Sequence, residues 1–247
     1  MTYPTPKTVT LIGASRGIGR AFAERFHAAG AEVLVVARGK EALDQLASDL
    51  PGIKTLTLDA SLPGAPAKVL AAQVPDLLVL CAGAPAPCLP FQDTTWDSFS
   101  GSWTTDVAIS YNFLKAALLT PLPEGTTVVS ITSGAMLGGS PISGGYAGAK
   151  KMQMFLSGYA QKEAGRAGLN LRFLSLAPLR IVPDTGVGST AIAGYALYNG
   201  VSEAEFLKMH RPILTEGVVA DALMEVIATG TDGQHFGVAP DGLSVLS

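Results

Sequence analysis

The chain has 247 residues and a formal net charge of −3, with hydrophobic residues at 48 % and charged residues at 15 %. That is ample apolar material for a large core, and the absence of basic runs excludes an electropositive nucleic-acid surface. No apolar stretch reaches the length of a membrane span, and the opening from Met1 to Pro6 lacks a signal-peptide pattern, so a soluble, cytoplasmic protein is expected.

Thr8 to Ile12 reads as a strand, and Gly17 to Ala29 as a helix with Ala21, Phe22 and Phe26 at helical spacing. Between them lies Gly13-Ala-Ser15-Arg16-Gly17-Ile18-Gly19. Its GxxxGxG spacing differs from the GxGxxG dinucleotide fingerprint but keeps the order of strand, glycine turn and helix. Glycines permit a tight turn, and a helix N-terminus offers free N–H groups and a positive dipole end to a pyrophosphate. A glycine-rich turn with no ligand would have the same sequence.

Glu32 to Val36 is the second strand, followed by Ala37-Arg38-Gly39. A carboxylate at this strand end suits the ribose 2′-hydroxyl of NAD, whereas arginine suits the 2′-phosphate of NADP. Arg38 is present and no acid accompanies it, so NADP(H) is expected, unless Arg38 and Arg16 are both merely solvated.

The alternation continues with helix 40–50, strand 53–58, helix 65–73, strand 76–81, helix 95–119, strand 126–132, helix 146–166, strand 170–176, helix 216–229 and strand 235–239. Val-, Leu- and Ile-rich strands alternating with helices predict an α/β fold. The expected architecture is a single doubly wound parallel sheet of Rossmann type over residues 1–247, with helices on both faces. Cys81 and Cys88 are expected as free thiols, although their spacing permits a disulfide, and His27, His210 and His235 have no metal-ligand spacing. No catalytic metal is expected.

Ser133 follows the fifth strand, and Tyr146 and Lys150 stand four residues apart in YAGAK. Residues i and i+4 share a helix face, and a fixed cation beside a phenol favours its ionised form. Such a phenol can exchange a proton with a carbonyl or alcohol oxygen, which the Ser133 hydroxyl can also hold. YxxxK alone also describes a partly buried tyrosine beside a surface lysine. Its place after the glycine turn gives it meaning.

The glycine turn, Ala82-Gly83, Ser133, Tyr146xxxLys150 and Pro178 occur in one order over essentially the full chain, which resembles a short-chain dehydrogenase/reductase. The resemblance implies hydride transfer between NADP(H) and a small carbonyl or alcohol compound, with Tyr146 as proton donor, Ser133 on the oxygen and Lys150 on the cofactor ribose. It also implies cofactor contacts from Gly13, Ser15, Arg16, Gly17, Ile18 and Gly19, and from Arg38 facing the 2′-phosphate with Arg16. Asp59 and Ala60 would flank the adenine, with Ala82, Gly83, Pro178 and Ile181 further along the cofactor. Asp59-Ala60 and Ala82-Gly83 are equally readable as ordinary strand-end turns.

Three positions depart from the family pattern. Asp106 aligns where similar proteins carry an asparagine that supports a water-mediated proton relay to the lysine, while Asn112 lies six residues on, facing another direction. Asp106 could still organise water and Lys150, but it lacks the amide donor and would raise the lysine pKa. Ile12 replaces a threonine that often braces the glycine turn, and Pro178-Leu179 replaces Pro-Gly.

The glycine-rich, apolar stretch 183–212 suits a lid built as a mobile loop with a short helical stretch from Ser202, with Met136, Ile142 and Tyr195 as pocket walls and a largely apolar, uncharged carbonyl substrate. The same apolar residues would also suit packing onto the core or a second subunit. The helices over 95–119 and 146–166 match those through which similar proteins form dimers and tetramers, and Ala108, Ala147, Met152 and Phe155 would serve that homo-oligomeric packing or the core. Two other readings share the scaffold: an epimerase or dehydratase with a recycled cofactor, and a non-catalytic NADP-binding protein.

Overall fold

The structure, a computed structural model, describes residues 6–229 and 233–246. The stretch from Met1 to Thr5, most of the opening that lacks a signal-peptide pattern, lies outside them. Strands β1 (Thr8–Ile12), β2 (Glu32–Ala37), β3 (Lys54–Thr57), β4 (Leu77–Leu80), β5 (Thr127–Ile131), β6 (Arg172–Pro178) and β7 (His235–Ala239) run parallel. A further strand, β8 (Gly242–Val245), returns antiparallel along β7. Among the described residues these form one sheet in the order β3-β2-β1-β4-β5-β6-β7-β8.

The helices are α1 (Gly17–Ala28), α2 (Lys40–Asp49), α3 (Ala65–Ala72), α4 (Trp96–Ser102), α5 (Ala108–Leu119), α6 (Gly144–Arg166), α7 (Gly186–Asn199), α8 (Glu203–Met209) and α9 (Glu216–Thr229). Strand periodicity sorts them onto two faces. Val9, Leu11, Val33, Val35, Leu77 and Val79 pack with Phe22, Phe26, Leu43, Leu46 and Leu223 of α1, α2 and α9. The alternate residues Ile12, Leu34, Val36, Leu78 and Leu80 pack with Val69, Ile109, Phe113 and Ala160 of α3, α5 and α6. Phe22 and Phe26 are 0 % and 1 % exposed, and burying such a side chain stabilises by about 1.5–3 kcal/mol. They fix the axis of α1 and so aim its N-terminus at the sheet edge.

Two expectations change. The helix expected over 95–119 is broken by a π-turn at Trp103–Val107, where the Ala108 N–H reaches the Trp103 carbonyl. Gly101 and Ser102 before it and Thr104 and Thr105 within it are weak helix formers, so the ladder yields there. The glycine-rich stretch after Pro183 is helical rather than a loop. The Thr185 hydroxyl caps α7 by accepting the Gly188 N–H at 2.9 Å, and Gly200 ends it at φ 68° and ψ 31°. Ser202 and Glu205 form a capping box on α8. Among the described residues no helix is long and apolar enough to cross a membrane.

Candidate active site

In an open parallel sheet a crevice forms outside the carboxyl ends of the strands, where the chain order reverses. Here the reversal lies between β1 and β4. A cleft of about 950 Å³ opens there, and every residue that the sequence nominated for cofactor or catalysis lines it.

The glycine turn forms its floor. Gly13 sits at φ 85°, and a side chain there would collide with the Ala82 backbone that follows β4. The ends of β1 and β4 therefore approach as closely as backbones can. Arg16 precedes α1 in extended conformation, no side chain caps the helix, and its first turn carries no acidic residue. Its leading N–H groups are thus left for an anion, and the cradle fits a dinucleotide pyrophosphate.

Arg16 from this turn and Arg38 beyond β2 are both exposed, and neither is ion-paired among the described residues. Asp59, beyond β3, accepts from the Ser61 hydroxyl and amide at 2.7 and 3.0 Å. Those bonds, and then the Arg38 charge, hold its carboxyl below the ordinary value. Asp59 with Ala60, Ala82 with Gly83, and Pro178 with Ile181 each border the same cleft.

Tyr146 and Lys150 project from the first turns of α6 towards the end of β5. Lys150 is 5 % exposed, so it is no surface lysine. Its Nζ donates to the Ile131 carbonyl at 3.3 Å, lies 3.1 Å from Asp106 Oδ2, and sits 5.5 Å from the centre of the Tyr146 ring. Burial disfavours the ammonium, but the Asp106 and Tyr146 charges outweigh that and hold Lys150 above its ordinary value. Ser133, leading the 3₁₀ turn Gly134–Leu137, accepts the Ala135 N–H at 3.2 Å, which leaves its hydroxyl hydrogen available to a ligand.

Asp106 is fully buried in the π-turn. Its Oδ1 accepts the Ala84 N–H at 2.7 Å, and its Oδ2 lies so near Gly83 that a Cβ there would come within 2.8 Å. The carboxylate thus pairs directly with Lys150. Asn112 faces away, donating to the Ser61 carbonyl at 3.2 Å.

On the far side of the cleft, Tyr195 of α7 lines it together with Phe206 and His210 of the α8 region. The Tyr195 hydroxyl meets Ser140 Oγ at 2.6 Å, and its ring stacks on Phe206 at 5.8 Å. Met136 and Ile142, expected beside it as walls, are not in the cleft. Met136 packs against Met154 and Ala177, and Ile142 is 0 % exposed. Met136 lies in the 3₁₀ turn and Ile142 in the turn before α6, and both are large apolar side chains that the core recruits as readily as a pocket does. Phe206 and His210 went unmarked in the sequence, where only a short helical stretch from Ser202 was expected; the Ser202xxGlu205 capping box now explains where that helix starts.

Cys81 follows β4 in the same wall. Burial, opposed by the Lys150 charge, pushes its thiol from 9.0 up to about 11. Lys150 is raised as well, and a group whose folded pKa is raised contributes stability that is intact below its unfolded pKa and lost as pH rises through the folded one. We expect the melting temperature to decline between pH 9 and 11, and Cys81→Ala to flatten that decline. An identical slope in the variant would remove Cys81 from the account.

A family model described as short chain dehydrogenase matches residues 7–185. L-xylulose reductase from Bos taurus is 33 % identical over 95 residues, covering 38 % of this chain and 39 % of that enzyme, so the match spans about two fifths of its length. Among solved structures, an actinorhodin polyketide ketoreductase variant with NADPH superposes with a TM-score of 0.77 at 22 % identity, covering 91 % of both chains. A 3-ketoacyl-(acyl-carrier-protein) reductase from Brucella melitensis complexed with NADH gives 0.75 at 19 %, again over 91 % of both. These likenesses show a shared fold. The family match takes in the glycine turn, Ser133, Tyr146, Lys150 and Pro178, and the chain belongs to the short-chain dehydrogenase/reductase family of oxidoreductases, whose fold binds nicotinamide cofactors.

Proposed function

We propose that the protein is an NADPH-dependent reductase of a small, largely apolar ketone or aldehyde, or oxidises the corresponding alcohol. The observation that carries this reading is the gathering of Ser133, Tyr146 and a buried, Asp106-paired Lys150 in the same cleft as the glycine cradle. When bound, NADPH supplies the hydride to the carbonyl carbon. The Tyr146 hydroxyl gives its proton to the carbonyl oxygen, and Ser133 donates a hydrogen bond to that oxygen as negative charge develops. Lys150 holds the cofactor ribose and stabilises the tyrosinate left behind, while Asp106 and the Ile131 carbonyl keep the ammonium in place. Gly13, Ser15, Gly17, Ile18 and Gly19 hold the pyrophosphate side, with Asp59, Ala60, Ala82, Gly83, Pro178 and Ile181 along the remainder.

Arg16 and Arg38 are the proposed 2′-phosphate clamp, since a guanidinium fork matches phosphate geometry. Arg38→Ala is expected to lower the NADPH-over-NADH binding ratio about ten- to hundredfold, the worth of hydrogen bonds to a charged group. Fluorescence titration of the two cofactors measures it. A wild-type preference for NADH would end the argument for a phosphate clamp.

The segment 183–212 serves as the lid, its α7 and α8 bringing Tyr195 and Phe206 to an apolar substrate. The decisive test is a panel of ketones, aldehydes, imines and alcohols followed at the nicotinamide absorbance with each cofactor. Cofactor binding with no turnover across the panel would refute a reductase. We place the enzyme in the cytoplasm as a homodimer or homotetramer, joined through α4, α5 and α6. Tyr111, Phe155 and Tyr159 there are 50 %, 42 % and 54 % exposed. Light scattering should return a multiple of the chain mass, and Phe155→Glu should lower it. A monomeric wild type would contradict that assembly.

A further inference from the structure

Gln153 stands one helical turn beyond Lys150 on α6, is 0 % exposed, and does not line the cleft. Its Nε2 donates to the Asp106 backbone carbonyl at 3.2 Å and to Ser110 Oγ at 2.7 Å. Burying an amide is costly unless it is hydrogen-bonded, and both bonds of its donor end go to the π-turn and to the start of α5 that follows it. That donor reaches the backbone of the π-turn at the residue whose carboxylate meets Lys150.

A π-turn slips the hydrogen-bond ladder by one residue and persists where surrounding groups hold it. We propose that Gln153 is a positioning residue, clamping the Asp106 carbonyl so that the π-turn keeps the register that sets the Asp106 carboxylate on Lys150. Released from the clamp, the turn relaxes towards a regular α ladder. One residue of slip turns the side chains by about 100° and carries Asp106 off Lys150. Three groups face the ammonium: Asp106 from the π-turn, Tyr146 from α6 and Cys81 from beyond β4. With Asp106 withdrawn, burial acts on Lys150 with less opposition, and the neutral amine becomes more populated.

The inference rests on the reading of Lys150 given above for its catalytic purpose, but its test needs neither cofactor nor ketone. Acetylation of Lys150 by acetic anhydride in the free protein, read by mass spectrometry against pH, follows the neutral amine directly. Gln153→Met is expected to label Lys150 about tenfold faster at pH 8, as a downward shift of one pKa unit would give. In an Asp106→Asn background the same substitution should add no further change. Unchanged labelling with a lowered melting temperature would reduce Gln153 to a packing residue and overturn the proposal. So would equal acceleration in the Asp106→Asn background. Gln153→Asn retracts the amide by one methylene and gives the same readings should Gln153→Met not fold. A substrate screen that finds no turnover leaves these outcomes separately readable.

Discussion

Tyr146→Phe should lower kcat/KM by about 10²- to 10⁴-fold, the range that a positioned general acid contributes, while NADPH still binds. The substitution removes one oxygen from a half-buried ring and leaves the Lys150 contacts with Asp106 and Ile131 in place. The loss should therefore fall on kcat, because the missing proton matters only as charge develops on the carbonyl oxygen. Ser133 survives in the variant and should account for part of the residual rate. Stopped-flow turnover beside a cofactor titration separates the two effects. Wild-type rates in the phenylalanine variant would mean that another group delivers the proton, and the epimerase, dehydratase and binding-protein readings would regain their place.

Lys150→Met should cost both activity and stability. Removing the ammonium leaves Asp106, fully buried, without its countercharge. Breaking a buried pair from one side costs about 3–5 kcal/mol. At about 2–4 °C per kcal/mol for a domain of this size, the melting temperature should fall by roughly 6–20 °C. An exposed lysine, as YxxxK alone would allow, would cost only a few tenths. Adding Asp106→Asn to Lys150→Met removes the stranded charge and should recover much of the loss, whereas activity should stay low in both. A double variant no more stable than Lys150→Met would show that Asp106 is held by something other than the ion pair. The Ala84 amide, donating at 2.7 Å, is the alternative holder.

Much of this molecule is legible in its sequence for a local reason. The strands at Thr8–Ile12 and His235–Ala239 and the helix at Glu216–Thr229 carry their own period and end signals, and the structure keeps those bounds. The glycine turn is legible because only glycine tolerates φ 85° at Gly13. Helix α7 was obscured by Gly186, Gly188 and Gly194, which read as loop residues although Val187, Ala191 and Tyr195 keep a helical spacing. Strand β8 follows β7 through a tight turn, and its residues Gly242 to Val245 are too few for a pattern.

The sequence by itself determined which residues reach the sheet edge, because strand period, glycine position and the four-residue spacing of Tyr146 and Lys150 are properties of neighbouring residues. Only the tertiary structure decided what Asp106 does. Its meeting with Lys150 depends on a slipped helical ladder, on the missing side chain at Gly83, and on Gln153 reaching across from α6. The ladder slips within Asp106's own segment, but Gly83, Lys150 and Gln153 are distant from it in sequence, and their meeting is selected by packing and by the cost of burying a charge without a counterpart. The same distinction separates Tyr195, which packing left in the cleft, from Met136 and Ile142, which it drew into the interior.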